Sequence, residues 1–344
     1  MKKKTIIVII SILLVLIVLG VITAFITYNK LNSSAFDISE DRYIYIDDKK
    51  NYQEVVYQLK ENAHLEDSYL FMKVAEFMKY PKSIKSGKYK ITPGMSYLEA
   101  IRMLRNGDQD PVKLTFNNIR LKKDFAERVG EQFLFSKSEL YSKINDPQVV
   151  ATYGFDTLTI ATMFIPNTYE VYWNISADQF LDRMKKEYDR FWTQERTTKA
   201  DKINLSPLEV SILASIVEEE TAAQSEYPIV AGLYLNRLKK GILLQADPTV
   251  KFAVGDVTLR RILFKHLQVD SPYNTYKYLG LPPGPIRIPS IKAIDGVLNP
   301  KDHSYLYMCA KEDFSGTHNF AVTLKEHTRN AQRYQAALNK AGIR

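Results

Sequence analysis

Three consecutive glutamates, Glu218, Glu219 and Glu220, end an apolar stretch that has the periodicity of a helix. At about 100° per residue, Glu220 falls within roughly 30° of the centre of the apolar stripe, Glu219 lies toward its edge and Glu218 points nearly opposite. The stripe consists of Leu208, Ile212, Leu213, Ile216 and Val217. Loss of hydration against apolar neighbours raises the pKa of a carboxyl group, and the nearby C-terminal end of the helix acts in the same direction. The spacing therefore predicts Glu220 as a general acid at neutral pH.

A structural role for the same carboxyl is the alternative. In that interpretation Glu220 pairs with a buried arginine such as Arg237, and the pair has no chemistry of its own. Helical geometry alone leaves both interpretations open.

The start of this helix is well defined by its sequence. Ser206 suits the N-cap position, Pro207 the first helical position and Glu209 the third, where its side chain closes a capping box. The helix that carries the acid is therefore expected to begin at Pro207.

The elements before residue 117 group into a small α+β module. Strands are expected at Tyr43–Ile46, Ser86–Ile91 and Val112–Phe116, and helices at Asn51–Asn62 and Ser68–Met78. A third helix starts at Ser96, which forms a capping box with Glu99, and stops at Gly107. We assign this module to residues 43–116, with residues 43–110 as its compact part.

Residues 117–344 are assigned to a second, larger α+β domain. The pattern is mostly helical up to about residue 204, with a proline-containing bend at residues 164–169. The domain ends in a predicted hairpin, Tyr305–Ala310 with His318–Val322, and a last helix from Leu324 to Ala341.

The amino terminus has the features of a membrane anchor. Residues 1–4 carry three lysines, residues 5–28 contain no charged side chain, and residues 29–42 are polar with small residues, which is typical of a linker. A helix of that length rises roughly 36 Å, enough to cross a hydrocarbon core of about 30 Å. The lysines are expected to stay in the cytoplasm, with the rest of the chain outside. A cleaved signal peptide ending near Ser33-Ser34-Ala35 is the alternative.

Composition narrows the possible functions further. The 344-residue chain carries a net charge of +8, which is compatible with an anionic neighbour, but it has no nucleic-acid-binding signature. Its single cysteine, Cys309, is expected to be a buried structural thiol. Its five histidines, which include His318 by the predicted hairpin turn, have no metal-site spacing. No G-x-S-x-G nucleophile motif occurs.

The segment Leu213–Thr221, read as LASIVEEET, resembles the L-A-S-I-V-E-K-E-T motif of the endolytic murein transglycosylase family (YceG-like, also called MltG). Further family motifs match in the same order over nearly the whole chain. They are Gly87-Lys88-Tyr89, Pro166–Glu170, Val230-Ala231-Gly232, Asn236-Arg237-Leu238, Leu244–Val250, Tyr273–Tyr276, Gly280–Ile286, Pro289-Ser290, Tyr305-Leu306-Tyr307 and His318-Asn319-Phe320.

The resemblance implies a single-pass inner-membrane lytic transglycosylase, a carbon–oxygen lyase, with an extracytoplasmic catalytic domain and a LysM-like module near its start. It implies that Glu220 is the catalytic acid/base, that peptidoglycan glycan strands are the substrate and that nascent strand length is limited. Peptidoglycan synthases are implied as partners, and no metal or cofactor is needed. One departure is Glu219, where the family often has lysine. Either this third negative charge raises the pKa of Glu220 further, or it is balanced elsewhere, for instance by Arg237.

The resemblance also implies a mechanism with one carboxyl group. Glu220 protonates the glycosidic oxygen between N-acetylmuramic acid and N-acetylglucosamine, the substrate acetamido group supports the cation-like centre, and closure by the muramoyl C6 hydroxyl leaves a 1,6-anhydro end. Motif matches suggest Gln245, Asn274 and Tyr276 as substrate-binding residues and Asn236 as a residue that orients Glu220.

Two other functions compete with this one. A hydrolase that cuts the same polymer with water requires a second carboxylate, for which Glu218 and Asp247 are candidates. A non-catalytic, membrane-anchored scaffold would bind glycan through the 43–110 module and recruit synthesis enzymes.

Overall fold

The structure is a computed structural model in which residues 2–256, 259 and 262–342 are described. The protein has a mixed α+β fold that begins with a long apolar helix. It divides into two compact units, one formed by Met1–Lys113 with Glu170–Ile175 and the other by Leu114–Tyr169 with Ser176–Arg344.

The first helix, α1, runs from Lys2 to Asn32. Within the segment Ile6–Asn32, the most apolar window of 18 residues has a mean hydropathy of 3.4, and none of that window is buried by protein. At 1.5 Å per residue these 27 residues extend about 40 Å, so the helix is long and apolar enough to cross a membrane.

The rest of the first unit is built on a two-stranded antiparallel sheet. Its elements are β1 (Arg42–Ile46), α2 (Tyr52–Ala63), α3 (Ser68–Phe77), β2 (Gly87–Ile91) and α4 (Tyr97–Asn106). In the sheet, Ile44 lies opposite Tyr89, and both side chains are fully buried. The apolar faces of the three helices contribute to this core, and α2 packs directly against β1.

Local sequence signals determine the ends of α4. Ser96 and Glu99 form both hydrogen bonds of a capping box, and Gly107 ends the helix with a φ of 80°, a conformation that glycine adopts without strain. The predicted capping box and stop are therefore confirmed.

The segment assigned to a linker is partly structured. Helix α1 continues four residues beyond the expected end at Tyr28, to Asn32. Ala35 and Phe36 follow it and are 0% and 2% exposed in the core of the first unit. The Ala35 amide donates to the Met95 carbonyl at 2.9 Å, so this backbone is held as well as buried.

Strands β3 (Val112–Thr115) and β4 (Thr168–Val171) pair with each other in a second two-stranded sheet. The chain passes from one unit to the other within each of these strands.

The second unit is mainly helical. Its helices are α5 (Lys122–Gly130), α6 (Lys137–Lys143), α7 (Pro147–Thr152), α8 (Ala177–Phe191), α9 (Gln194–Lys202), α10 (Pro207–Glu220), α11 (Tyr227–Lys239), α12 (Asp247–Val254), α13 (Phe264–Leu267), α14 (Ile291–Leu298) and α15 (Leu324–Lys340). Its hairpin consists of β5 (Tyr307–Ala310) and β6 (His318–Ala321), which pair antiparallel as expected.

Helix α10 lies at the centre of this unit. It begins as the sequence predicts, with Ser206 as N-cap, Pro207 in the first turn and a complete capping box to Glu209. Every residue from Val210 to Val217 is buried, because α11 and α14 pack beside it. The helix is thus surrounded by protein rather than half-exposed, and the face opposite the apolar stripe is covered as well.

Candidate active site

The carboxyl group of Glu220 opens into a cavity of about 460 Å³ in the second unit. Glu220 is the last residue of α10, and the cavity wall also includes parts of α11, the β5–β6 hairpin and α15. Gln245 and Asp247 on its rim are exposed. The cavity is therefore a cleft that a polymer can enter from solvent.

The Glu220 carboxyl has one direct hydrogen-bond donor in the described part of the chain. The Tyr234 hydroxyl on α11 donates to Glu220 Oε1 at 2.5 Å, and Tyr234 is 2% exposed. Burial raises the pKa of Glu220 to about 7, although the bond from Tyr234 opposes the shift. The charge of Asp247 raises this pKa further, whereas Lys251 and Arg237 lower it. Glu220 can therefore both donate and accept a proton at neutral pH.

A second carboxylate faces the same cavity. Asp247 is the first residue of α12, and the Tyr276 hydroxyl donates to its Oδ1 at 2.6 Å. Burial raises the pKa of Tyr276, and the bond to Asp247 adds to this effect, so Tyr276 remains a neutral donor. Asp247 and Tyr276 thus form a polar wall of the cavity.

Gln245, one of the residues suggested by motif, also lines the cavity. Its backbone is left-handed, with a φ of 53°, and its amide donates to the Thr275 carbonyl at 3.0 Å. Its side-chain Oε1 accepts a bond of 3.3 Å from Arg237. The structure therefore places Gln245 and Tyr276 in the same cavity as Glu220, and their contact with substrate stays a prediction.

Asn236 and Asn274 lie elsewhere. The Asn236 amide donates to the carbonyls of His303 and Tyr305, and that of Asn274 donates to the carbonyls of Leu267 and Val269. Neither residue belongs to the cavity wall formed by the described residues. Their amides satisfy buried main chain, so the structure gives Asn236 no contact with Glu220, which is oriented by Tyr234 instead.

Arg237 supports the cavity wall through main-chain carbonyls. It is 6% exposed and donates to the carbonyls of Leu306, Leu243 and Leu244 at 2.7–2.8 Å. Arg237 and Glu220, both among the described residues, form no ion pair. The alternative in which the two residues form a structural pair is therefore wrong. Through these hydrogen bonds, the guanidinium connects the residue before β5 to the loop before α12.

Glu218 and Glu219, which directly precede Glu220 in α10, have their own cationic partners. Glu219 accepts from Arg287 at 2.6 Å and from Arg120 at 2.8 Å. Glu218 accepts from the backbone amide of Ser290 at 2.7 Å, and the Arg287 guanidinium lies 3.7 Å away. The charge of Glu219 is therefore balanced by Arg287 and Arg120 rather than by Arg237. The carboxylate whose charge raises the pKa of Glu220 is Asp247, not Glu219 as the alternative expectation had it.

Several cavity residues were not singled out by the sequence patterns. Tyr234 is the most important, and a phenol within the apolar run of α11 was the available signal, since a buried hydroxyl requires a partner. His318, His327 and Cys309 also line the cavity. Cys309 lies on a strand as expected but is only partly buried, because the inner side of β5 faces the cleft.

Among the described residues no group of three or more His, Cys, Asp or Glu side chains is arranged to hold a metal ion. What the site offers is one carboxyl with a neutral pKa, a phenol that orients it and a second carboxylate nearby. This combination suits proton transfer to and from a substrate oxygen.

The family model described as YceG-like matches residues 44–333. The chain belongs to the YceG-like family. The matched residues include parts of both compact units and every residue of the cavity described above.

Two relatives of this chain are named endolytic murein transglycosylase. The protein from Bacillus subtilis (strain 168) is 28% identical over 299 residues, which is 82% of this chain and 81% of the relative. The protein from Streptococcus pneumoniae serotype 2 (strain D39 / NCTC 7466) is 26% identical over 338 residues, or 88% of this chain, which spans 60% of that relative's length. A crystal structure of a yceG-like protein from Listeria monocytogenes is 26% identical, with a TM-score of 0.57, covering 85% of this chain and 99% of that one.

Proposed function

We propose that this protein is an endolytic lytic transglycosylase that cleaves peptidoglycan glycan strands internally. The observation that carries the proposal is the Glu220 carboxyl, which opens into a cleft and whose pKa is raised to about 7. Family membership and the names of the relatives support the same activity.

The proposed mechanism uses Glu220 twice. As an acid it protonates the glycosidic oxygen between N-acetylmuramic acid and N-acetylglucosamine while the substrate acetamido group stabilises the cation-like centre. As a carboxylate it then accepts the proton of the muramoyl C6 hydroxyl, whose oxygen bonds to C1. The product is a 1,6-anhydro end and no water is consumed. A pKa near 7 suits both steps, because at neutral pH the Glu220 carboxyl group can reach its protonated and its ionised form at little cost in free energy.

Tyr234 fits this cycle as the residue that orients Glu220. Its hydroxyl remains protonated, because burial raises its pKa well above the usual value. It therefore stabilises the carboxylate formed after the first proton transfer. Gln245 and Tyr276, which line the same cavity, are proposed to contact the sugar.

We further propose that Ile6–Asn32 anchors the enzyme in the cell membrane, with the catalytic unit outside the cytoplasm. The length and hydropathy of this helix support the anchor, and the three lysines before it support the orientation. The module at residues 43–116 is proposed to be LysM-like, and its order of strand, helix, helix and strand with antiparallel pairing supports this assignment. Residues 117–344 are proposed as the catalytic domain, and peptidoglycan synthases are proposed as partners that consume or supply the same nascent strands.

The decisive experiment uses residues 33–344, wild type and Glu220→Gln, with uncross-linked glycan strands and mass spectrometry of the ends. Anhydromuramoyl ends that disappear in the variant are expected. Cleavage that persists in Glu220→Gln would refute the assigned acid. A folded wild-type protein that binds strands without cutting them would favour the scaffold function.

One observation keeps hydrolysis as a second candidate. Asp247 shares the cavity with Glu220, as a second carboxylate of a hydrolase must. Hydrolysis predicts free reducing ends, one water heavier than anhydro ends, and loss of cleavage in Asp247→Asn. The transglycosylase proposal predicts anhydro ends and residual cleavage in that variant.

A further inference from the structure

His318 lines the wall of the Glu220 cavity. It is the first residue of β6, and its side chain is 15% exposed. Its Nδ1 lies 2.8 Å from Glu226 Oε2, and its backbone amide donates to Glu226 Oε1 at 2.8 Å. Both oxygens of one carboxylate thus fix the position and the rotation of this imidazole.

The same carboxylate also holds the peptide that follows the catalytic acid. The Thr221 hydroxyl donates to Glu226 Oε2 at 2.9 Å, and Thr221 comes directly after Glu220. Glu226 is 6% exposed. This buried carboxylate therefore links the end of α10 to the first residue of β6 and fixes His318 relative to Glu220.

The bond to Glu226 determines the tautomer of the ring. An ionised carboxylate only accepts hydrogen bonds, so the proton of a neutral His318 ring must be on Nδ1. Nε2, at the other edge of the ring, is then an acceptor. Within the described residues Nε2 has no hydrogen-bond partner, and His318 lines the cavity.

We propose that His318 is a substrate-binding residue whose Nε2 accepts a hydrogen bond from a hydroxyl or acetamido N–H of the glycan in the Glu220 cavity, with Glu226 as its positioning residue. This inference rests on the proposed function, because it takes the glycan as the ligand of this cavity. It adds His318 to Gln245 and Tyr276 as a third residue proposed to contact the glycan in this cavity.

Two substitutions separate substrate contact from a purely structural role. In His318→Asn the side-chain amide overlies Nδ1 and still donates to Glu226, but the group at Nε2 is lost. In His318→Gln the amide reaches the Nε2 position, and the bond to Glu226 is lost. A structural role predicts that the Asn variant behaves as wild type, whereas substrate contact predicts that it is the more impaired in glycan binding.

The binding measurement uses the full-length protein in detergent with short uncross-linked glycan strands as the probe. In a Glu220→Gln background, which prevents turnover, adding His318→Asn is expected to weaken binding about tenfold, as for the loss of one well-placed hydrogen bond. In the active enzyme the same substitution is expected to raise KM more than it lowers kcat, with an unchanged melting temperature. Binding and KM equal to those of the parent proteins would overturn the proposal.

Nitrogen NMR of the imidazole tests the role of Glu226 independently. At alkaline pH, long-range proton–nitrogen spectra should show His318 with a protonated Nδ1 and an unprotonated Nε2, and Glu226→Gln should abolish this preference. A protonated Nε2 in the wild type would contradict the assigned acceptor. If the wild-type protein cuts and binds glycan and His318→Asn does so equally well, only this inference is refuted. If the wild-type protein neither cuts nor binds glycan, the proposed function is refuted and this inference with it.

Discussion

At the level of single residues, the chemistry of Glu220 depends on two opposing influences. Burial raises the pKa of its carboxyl group, and the hydroxyl of Tyr234 lowers it by stabilising the charged form. The resulting value of about 7 leaves Glu220 able to act as an acid and then as a base without a second catalytic carboxyl. Tyr234 is therefore the residue through which the pH dependence of the enzyme can be adjusted.

Replacing Tyr234 by phenylalanine should shift the alkaline limb of the pH profile of kcat/KM to higher pH. The carboxylate loses its donor at 2.5 Å, so its pKa rises, by up to about one unit for a bond worth roughly 1 kcal/mol. The measurement is the rate of strand cleavage across pH. Tyr276→Phe is the matched control, since its hydroxyl donates to Asp247. A limb that moves equally in both variants would contradict the role of Tyr234.

Glu220 should also make the folded state less stable at higher pH. Its pKa is about 7 in the folded protein against 4.5 for the free group, so between these values the folded state binds more protons than the unfolded state. The free energy of unfolding therefore falls as pH rises through this window. Glu220→Gln lacks this penalty and should gain up to about 3 kcal/mol relative to wild type above pH 7. Denaturant unfolding at pH 4 and 8 measures the difference, and a pH-independent difference would contradict the raised pKa.

At the level of the elements, the last turn of α10 is held by charges from distant parts of the chain. Arg287, 6% exposed, contacts both Glu218 and Glu219, and the Ser290 amide donates to Glu218. Arg287 also donates to Asn118. These contacts fix the turn that carries Glu220, so the position of the acid depends on how the segment before α14 packs against α10.

Removing the Arg287 guanidinium should destabilise the second unit strongly. Arg287→Met removes the cation that pairs with the partly buried carboxylates of Glu218 and Glu219. The loss of one partner from a buried ion pair costs about 3 kcal/mol of unfolding free energy. Arg120→Ala is the comparison, because Arg120 contacts the same Glu219 from a side chain that is 41% exposed, and its loss should cost about 1 kcal/mol or less. Thermal unfolding of both variants tests this. Similar losses in the two variants would mean that burial of Arg287 is unimportant.

At the level of the whole molecule, residues 33–36 connect the apolar helix directly to the core of the first unit. Helix α1 ends at Asn32, and Ala35 and Phe36 already belong to the core of the first unit. A boundary for a soluble form of the protein is therefore defined within a few residues.

A chain that starts at Ser33 should be soluble without detergent and keep the stability of the full-length protein. A chain that starts at Asp37 should lose about 3 kcal/mol of unfolding free energy in the first unit, because it lacks the buried Phe36 side chain. Melting curves of the two proteins make the comparison. Equal stability would show that residues 33–36 act only as a spacer.

Local signals in the sequence determined much of the fold. The capping boxes at Ser96 and Ser206 and the stop at Gly107 depend on residues within three or four positions of each other, so spacing alone predicts them. The apolar helix and the final hairpin are recognisable for the same reason. The assignment of Glu220 followed from helical spacing and from the family motif, although the helix proved to be buried on every side.

The partners of the active-site residues were decided by tertiary structure. Tyr234 reaches Glu220 from the next long helix, and His318 reaches Glu226 across 92 positions. The amides of Asn236 and Asn274 instead donate to main-chain carbonyls, which gives partners to backbone groups that would be costly to leave without them. Sequence thus determined which side chains could transfer a proton, whereas the docking of α10, α11 and the hairpin decided which of them meet. Such contacts depend on burial and orientation, which are properties of the packed chain and are not encoded in the spacing of residues.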